Sequence, residues 1–313
     1  MAHSIVFMGT PQFAVPSLQA ILDAGFEVKG VFTQPDRPVG RGQKLAFSPV
    51  KELALEHNIP VFQPEKLRGN EEALAILQEL KPDAIAVVAY GQMIPNSILE
   101  LPPFYCINVH GSLLPKYRGA APIQWAIARG ETTTGITTML IGEKMDAGPI
   151  LLQRECPIFP EDTSETLFPR LSSLGGVLLV ETLHGVFAGT LTPIPQKEEE
   201  ATYASMIKKE EGMIRWEMPA REIAHRIRAF TPWPGSSTTL DGKPVKVIRA
   251  VPLEGSGGTP GEVLSCNEDG WKVATGEGIL LIEEIQIPGK CCQPACVAAR
   301  GLRCLEPGLV LGS

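Results

Sequence analysis

Apolar positions along this chain change their period several times, and each change marks a structural element. Ser4–Gly9 (SIVFMG) is continuously apolar, as a strand buried on both faces requires. Pro11–Ala24 follows with Phe13, Val15, Leu18, Ile21 and Leu22 at helical spacing, and Gly25 stops it. FEVKGVFT then reads as a second strand, so the chain opens as a βαβ unit of the Rossmann kind. The alternation continues with a helix over Pro49–His57, a short strand at Pro60–Phe62, a helix over Asn70–Leu80 and a strand over Asp83–Tyr90. A strand from Phe104 to His110, a helix over Ala121–Arg129, strands at Gly135–Leu140 and Ile150–Pro157 and a long helix over Thr163–Phe187 complete it. The pattern predicts an α/β domain built on a Rossmann-like parallel sheet.

The period is lost in Thr190–Ala204, which holds two prolines and an acidic run. Beyond it come a helix over Pro219–Phe230 and short alternating segments SSTTL, PVKVIRAV, GEVLSC, GWKVATG and GILLIEEIQI, separated by Gly and Pro turns. Several short strands at close intervals read as a small barrel. The expected organisation is a first domain over 1–189, a linker over 190–206 and a second domain over 207–313, in keeping with a length of 313 residues.

Composition narrows the partners. The net charge of −7 argues against coating nucleic acid by overall charge, but it is uneven. Residues 207–313 carry 13 basic and 13 acidic side chains, leaving 15 basic against 22 acidic in the first 206, so the second part tolerates a polyanion better. No apolar run approaches the ~18 residues that span a bilayer, and the N-terminus lacks the basic segment of a signal peptide, so a cytoplasmic, non-membrane enzyme is expected. Of seven cysteines, Cys291, Cys292, Cys296 and Cys304 crowd the C-terminus without the paired CxxC spacing of a zinc site. Reduced thiols and no metal are expected. Gly9 is followed by Thr10-Pro11-Gln12 and not by a glycine-rich fingerprint, which removes a nicotinamide dinucleotide.

Chemistry concentrates in Phe104–Pro122, FYCINVHGSLLPKYRGAAP. Asn108 and His110, two apart on a strand, share one face of the pleat while Ile107 and Val109 take the other. The strand breaks at Gly111, at the carboxyl end where open α/β sheets bind ligands. Asp146, in the turn IGEKMDAGPIL, is on its own simple turn chemistry. If Asn108, His110 and Asp146 converge, they lack a strong nucleophile and suit direct attack of a substrate group on a carbonyl. Asn108 then donates to the developing oxyanion, His110 does the same or moves a proton, and Asp146 orients the imidazole and takes part in the proton transfer. A metal held by one His and one Asp is underliganded. The segment Gln34–Ser48 is too long for an ordinary βα connection and carries Arg37, Arg41 and Lys44, either a solvated loop or a functional insert.

Asn108-Val-His110-Gly-Ser112-Leu-Leu-Pro115, then Tyr117-Arg-Gly-Ala-Ala-Pro122 and the Asp146-x-Gly turn, resembles the signature of the folate-dependent formyltransferases. The resemblance implies a one-carbon transferase that carries a formyl group from 10-formyltetrahydrofolate to an amine, with Asn108, His110 and Asp146 as its catalytic residues. It implies folate contacts at Ser112, Leu113, Leu114 and Pro115, and a pterin cleft also lined by Tyr90, Gly91 and Ile94. FMGTPQFAVPSL, the QPDRPVGRG insert, KKEEGMIRW and RAFTPWPG narrow the likeness to the members acting on initiator methionyl-tRNA in translation initiation. There the insert, with Arg37, Arg41 and Lys44, is expected to meet the acceptor stem. An OB-like barrel entered past Lys208 and Lys209 is expected to grip the tRNA backbone, the enzyme working as a monomer. The resemblance also leaves a second acceptor class open, a small-molecule amine such as a nucleotide sugar or glycinamide ribonucleotide. A third alternative is an RNA-binding module with a degenerate first domain. Met206 and Arg215 depart from the family pattern, as does the Cys-rich C-terminus.

Overall fold

Continuous apolar segments become the inner strands of a sheet covered on both faces. The computed structural model describes residues 3–39, 44–301 and 306–312. The chain divides into two compact units, 1–119 with 133–157 and 168–203, and 120–132 with 158–167 and 204–313.

The first unit contains, in order, β1 (Ser4–Gly9), α1 (Val15–Asp23), β2 (Glu27–Phe32), β3 (Arg37–Val39), β4 (Lys44–Ala46), α2 (Pro49–Glu56), β5 (Val61–Phe62), α3 (Glu71–Leu80), β6 (Ala84–Val88), α4 (Asn96–Leu99), β7 (Cys106–His110) and β8 (Arg118–Gly119). The helix α5 (Pro122–Ala128) belongs to the second unit, and the chain then returns for β9 (Thr133–Leu140), β10 (Ile150–Pro157) and most of α6 (Ser164–Phe187). Seven strands form one sheet in the order β10-β9-β7-β6-β1-β2-β5. The pairs from β5 to β7 are parallel, as expected, and β9 runs against both β7 and β10. An antiparallel neighbour needs no crossover helix on the sheet, and α5, the one helix between β7 and β9, is not part of this unit. Alternate residues divide the core: Val6, Met8, Ile85, Val87 and Cys106 join Leu77 and Tyr90 on one face. On the other, Val109 meets α6 at Gly175, where an added Cβ would stand 3.1 Å from Val109 Cγ1.

Local capping sets the helix ends. Ser48 and Asn70 accept the backbone N–H groups of Lys51 and Ala73 at the starts of α2 and α3. The helix expected over Pro11–Ala24 begins instead as a 3-10 turn at Gln12–Ala14. Two short strands form within the described part of Gln34–Ser48: β3 and β4 pair antiparallel, with Arg37 opposite Ala46 and Pro38 opposite Leu45. The base of this pair is locked by Asp36, which accepts from Lys51 Nζ at 2.5 Å and from Gln63 Nε2 at 2.8 Å.

The second unit holds α5, the short strand β11 (Tyr203–Ala204) from Ala204 onward, α7 (Ala220–Ala229), β12 (Ser236–Leu240), β13 (Lys243–Leu253), β14 (Val263–Asn267), β15 (Gly270–Ala274), β16 (Ile279–Gln286), β17 (Gln293–Pro294) and α8 (Ala295–Gly301). Five strands form an antiparallel sheet in the order β12-β13-β16-β15-β14, with β17 paired to β16. Every strand expected here is present. Helix α7 buries Ala220, Ile223, Ala224 and Ile227, a stripe at helical spacing. Trp271 is fully buried, its indole N–H donating to Ala295 O at 2.8 Å. Trp125 of α5 stands edge-on to Phe230, with ring centroids 6.4 Å apart. That aromatic packing explains why α5 groups with this unit although it precedes the 190–206 segment by sixty residues of sequence.

Candidate functional site

Strand β7 places Asn108 and His110 on the face it shares with Cys106, as the period of two requires. His110 is buried, and its Nε2 lies 2.9 Å from Tyr117 O. A carbonyl only accepts, so Nε2 carries a proton and Nδ1 is left facing Asp146, 3.6 Å from Oδ1. That separation is an ion-pair distance and longer than a hydrogen bond. The other carboxylate oxygen, Asp146 Oδ2, accepts the backbone N–H of Gly119 at 2.8 Å. Asn108 is half-buried, and its amide makes no hydrogen bond to another described residue. His110 and Asp146 thus come together directly, and Asn108 lies on the same face of β7 as His110.

Backbone geometry makes the convergence possible. Asp146 adopts φ +52°, a left-handed conformation that Asp tolerates better than most residues, and Tyr117 adopts φ +63°. Two residues on, Gly148 has no room for a side chain: a Cβ there would lie 1.8 Å from Leu140 O. Glycine is therefore required by close approach, and the Asp-x-Gly spacing is a packing demand.

The Ser112–Pro115 segment is pinned from below. Thr137, on β9 opposite His110, donates to Ser112 O at 2.6 Å and accepts from Leu114 N at 3.1 Å. Gln153 Nε2 donates to Leu114 O at 2.8 Å and to Thr137 Oγ1 at 2.9 Å. Ser112 is itself fully buried and donates to Lys116 O, and Leu114 is buried, whereas Leu113 and Pro115 are half-buried. Tyr90 and Ile94 sit in the core cluster beside β6. The Tyr90 hydroxyl is buried with no hydrogen-bond partner among the described residues, and burial pushes its pKa up to about 12. Tyr90 O accepts from Thr10 Oγ1 and Gln34 Nε2, and Gly91, at φ +85°, turns the chain out of the sheet. Tyr90 and Gly91 follow β6, the strand beside β1 at which the sheet order reverses and where doubly wound sheets open a crevice.

Of the cationic residues, Arg37 on β3, Lys208 and Lys209 are exposed. Lys44 belongs to β4, and Arg41 lies outside the described residues. Arg226 and Arg228 are committed to the fold. Arg226 pairs with Glu211 at 2.6 Å and stacks 5.0 Å over the Phe230 ring; Arg228 donates to Asp162 O, and burial lowers its pKa. No cluster of three metal-ligating side chains is found among the described residues, and no described helix is long and apolar enough to cross a membrane.

Sequence reasoning missed the residues that hold the site from the 190–206 segment, which belongs to the first unit as far as Tyr203. Ile194 and Ile150 exchange backbone hydrogen bonds at 2.8 Å. Gln196 Nε2 donates to Asp146 O at 2.9 Å and to Gly148 O at 2.8 Å, and its Oε1 accepts from Arg118 Nε at 3.1 Å. Arg118 is buried and reaches Glu198 at 2.8 Å. Thr202 accepts from Arg118 N through its carbonyl and from Tyr117 N through its hydroxyl. A segment without hydrophobic period gives no signal for such polar pairing across 48 to 85 residues.

Two family descriptions match this chain: Formyl transferase over residues 3–183, and Formyl transferase, C-terminal domain, over 206–303. The chain belongs to the formyl transferase family. Within it, the chain is 50% identical to the methionyl-tRNA formyltransferase of Trichlorobacter lovleyi over 91% of this chain and 90% of that one. It is 53% identical to the methionyl-tRNA formyltransferase of Koribacter versatilis over 93% of each. Among solved structures, WlaRD, a sugar 3N-formyl transferase crystallised with dTDP and 5-N-formyl-THF, shares the fold at a TM-score of 0.68 and 22% identity, over 93% of this chain and all of that one.

Proposed function

We infer that this chain transfers the formyl group of 10-formyltetrahydrofolate to the α-amino group of methionine on initiator methionyl-tRNA. The observation that carries the reading is the closeness of His110 to Asp146, on a strand whose Asn108 amide has no partner among the described residues, in a chain half identical to named methionyl-tRNA formyltransferases. The amine attacks the formyl carbon directly. As the carbonyl oxygen gains charge, the Asn108 amide donates to it in a partly buried setting where such a donor acts strongly, while His110, its Nε2–H held by the Tyr117 carbonyl, moves a proton through Nδ1. Asp146 holds the imidazole and takes part in moving the proton from the attacking amine, while the folate nitrogen N10 gains a proton as its bond to the formyl carbon breaks. No covalent enzyme intermediate is required.

Folate recognition rests on Ser112, Leu113, Leu114 and Pro115, with Tyr90, Gly91 and Ile94 from the loop after β6. The rigid Thr137 and Gln153 support beneath the first group, and the unpartnered Tyr90 hydroxyl in the second, favour a built cleft. For the tRNA, Arg37, Arg41 and Lys44 on the insert and Lys208 and Lys209 at the entry to the second domain provide localised cations for phosphates. We read 207–313 as an OB-like tRNA-binding domain. An acceptor of this kind locates the enzyme in the cytoplasm with the translation machinery. The sugar formyltransferases share the fold at 22% identity, whereas the relatives named for methionyl-tRNA stand near 50%, which favours the tRNA over a small amine. Incubation with charged initiator tRNA and 10-formyltetrahydrofolate is expected to yield formyl-methionyl-tRNA; formylation of nucleotide sugars or glycinamide ribonucleotide in its place would overturn the assignment.

A further inference from the structure

We propose that Gln196 is a positioning residue for the reaction, a clamp that sets the turn presenting Asp146 to His110; the proposal deepens the formyl-transfer reading and rests on it. Gln196 donates both of its amide hydrogens to main-chain carbonyls of that turn, those of Asp146 and Gly148. Which way a side-chain amide points is normally ambiguous, because its oxygen and nitrogen have nearly the same shape. Here Arg118 fixes it: Arg118 Nε can only donate, so it selects the Gln196 oxygen and leaves the nitrogen facing the two carbonyls. Arg118 is 2% exposed and is anchored in turn by Glu198 and by the Thr202 carbonyl. The next residue, Gly119, donates its N–H to the Asp146 carboxylate. One buried guanidinium therefore organises both ends of the acid: Gly119, its chain neighbour, holds the side chain, and Gln196 holds the main chain.

The turn requires such a clamp. Asp146 sits at φ +52°, a conformation that its own residue type does not enforce, and the 3.6 Å gap to His110 Nδ1 depends on it. If the carbonyls of Asp146 and Gly148 lost their donors, the turn could relax and withdraw the carboxylate from the imidazole. Misplacement of a catalytic group by about 1 Å costs roughly 100-fold in rate. The acidic, aperiodic stretch between the domains is on this account part of the active-site wall.

The test uses Gln196→Met, which keeps the length of the side chain and removes its donors, and Gln196→Glu, which keeps the Arg118 partner and removes the two N–H groups. Both proteins are expected to melt cooperatively, to keep KM for folate and tRNA within about twofold, and to lose kcat by roughly 10- to 100-fold. A second arm is independent of substrate: the ring nitrogen resonances of His110, followed by NMR in the full-length protein. Gln196→Glu is expected to move them away from the native signature and toward that of Asp146→Asn, as a merely structural loss of packing would not. Native kcat in both variants, or a native His110 signature in Gln196→Glu, overturns the proposal. If the unaltered protein fails to formylate methionyl-tRNA, the functional reading falls, and the NMR arm still decides whether Gln196 sets the Asp146–His110 pair.

Discussion

The backbone N–H of Gly119 reaches Asp146 Oδ2 at 2.8 Å across 27 residues of sequence, and the carbonyl of Tyr117, two residues earlier, holds His110 Nε2 at 2.9 Å. One tight turn, with Tyr117 at φ +63° and Gly119 at φ +118°, thus aligns both members of the acid–imidazole pair through main-chain groups. Main-chain donors and acceptors have no rotamers to lose, so the pair is held in place before a substrate arrives. The arrangement also explains why Tyr-Arg-Gly follows the Asn-x-His strand so closely.

In the proposed mechanism Asn108 donates to the developing oxyanion, and its side chain makes no hydrogen bond to another described residue, so its removal should cost rate and not stability. Asn108→Ala is expected to lower kcat by roughly 10²- to 10³-fold, as loss of a preorganised donor does, with the urea midpoint nearly unchanged. Steady-state kinetics beside an unfolding curve measure both; an unfolded variant with the loss of rate explained by lost protein would contradict it.

Gly148→Ala forces a methyl group to within 1.8 Å of Leu140 O, a main-chain atom in β9 that has nowhere to go. Backbone displacement of this kind costs about 1–3 kcal/mol. We expect a matching drop in unfolding free energy together with a fall in kcat larger than that of a comparable surface change, because the displaced turn carries Asp146. Equilibrium denaturation and single-turnover rates on the same preparation measure the two effects.

Tyr90→Phe removes a hydroxyl that is buried without a partner among the described residues. Deleting an unsatisfied polar group normally relieves its desolvation, so the ligand-free protein is expected to gain up to about 1 kcal/mol of stability. If the hydroxyl finds its partner on the folate, the same variant binds a folate analogue more weakly. Melting curves with and without the analogue separate these two effects; a variant destabilised without ligand contradicts the placement of the hydroxyl.

At the base of the β3–β4 pair, the Lys51 ammonium first, and the Gln63 amide second, hold the Asp36 carboxyl below its ordinary value of 3.8. Because the folded value lies below the unfolded one, this stabilisation is complete above 3.8 and is lost as pH falls below 3.8 through the folded value. Asp36→Asn should therefore lower stability by on the order of 1 kcal/mol at neutral pH. The difference from the native protein should shrink as the pH is taken down toward about 3. Urea midpoints measured as a function of pH provide the check.

What the sequence made legible follows from the range of the forces involved. Strand and helix positions in both domains were readable because burial imposes a period of 2 or 3.6, as in Ser4–Gly9 or in the Ala220, Ile223, Ile227 stripe. Asn108 and His110 were legible together because they lie on one strand, and Asp146 through its place in a recognised signature. The antiparallel sense of β9 was not, since an apolar strand reads alike in either direction. The pairing of β3 with β4 was hidden by prolines and glycines that suggest a loop. Gln196 was hidden most deeply, because its value lies in two carbonyls 48 and 50 residues away and not in any local pattern.

In the proposed mechanism His110 acts at the reacting centre. His110→Ala, compared with the unaltered protein in single-turnover formylation of initiator methionyl-tRNA with 10-formyltetrahydrofolate, is the most direct test, with tRNA affinity measured on the same samples. The unaltered protein should form formyl-methionyl-tRNA, and the variant should bind tRNA equally well while its rate falls by roughly 10²- to 10⁴-fold. A variant that formylates at the native rate, or an unaltered protein that forms no product, would contradict it.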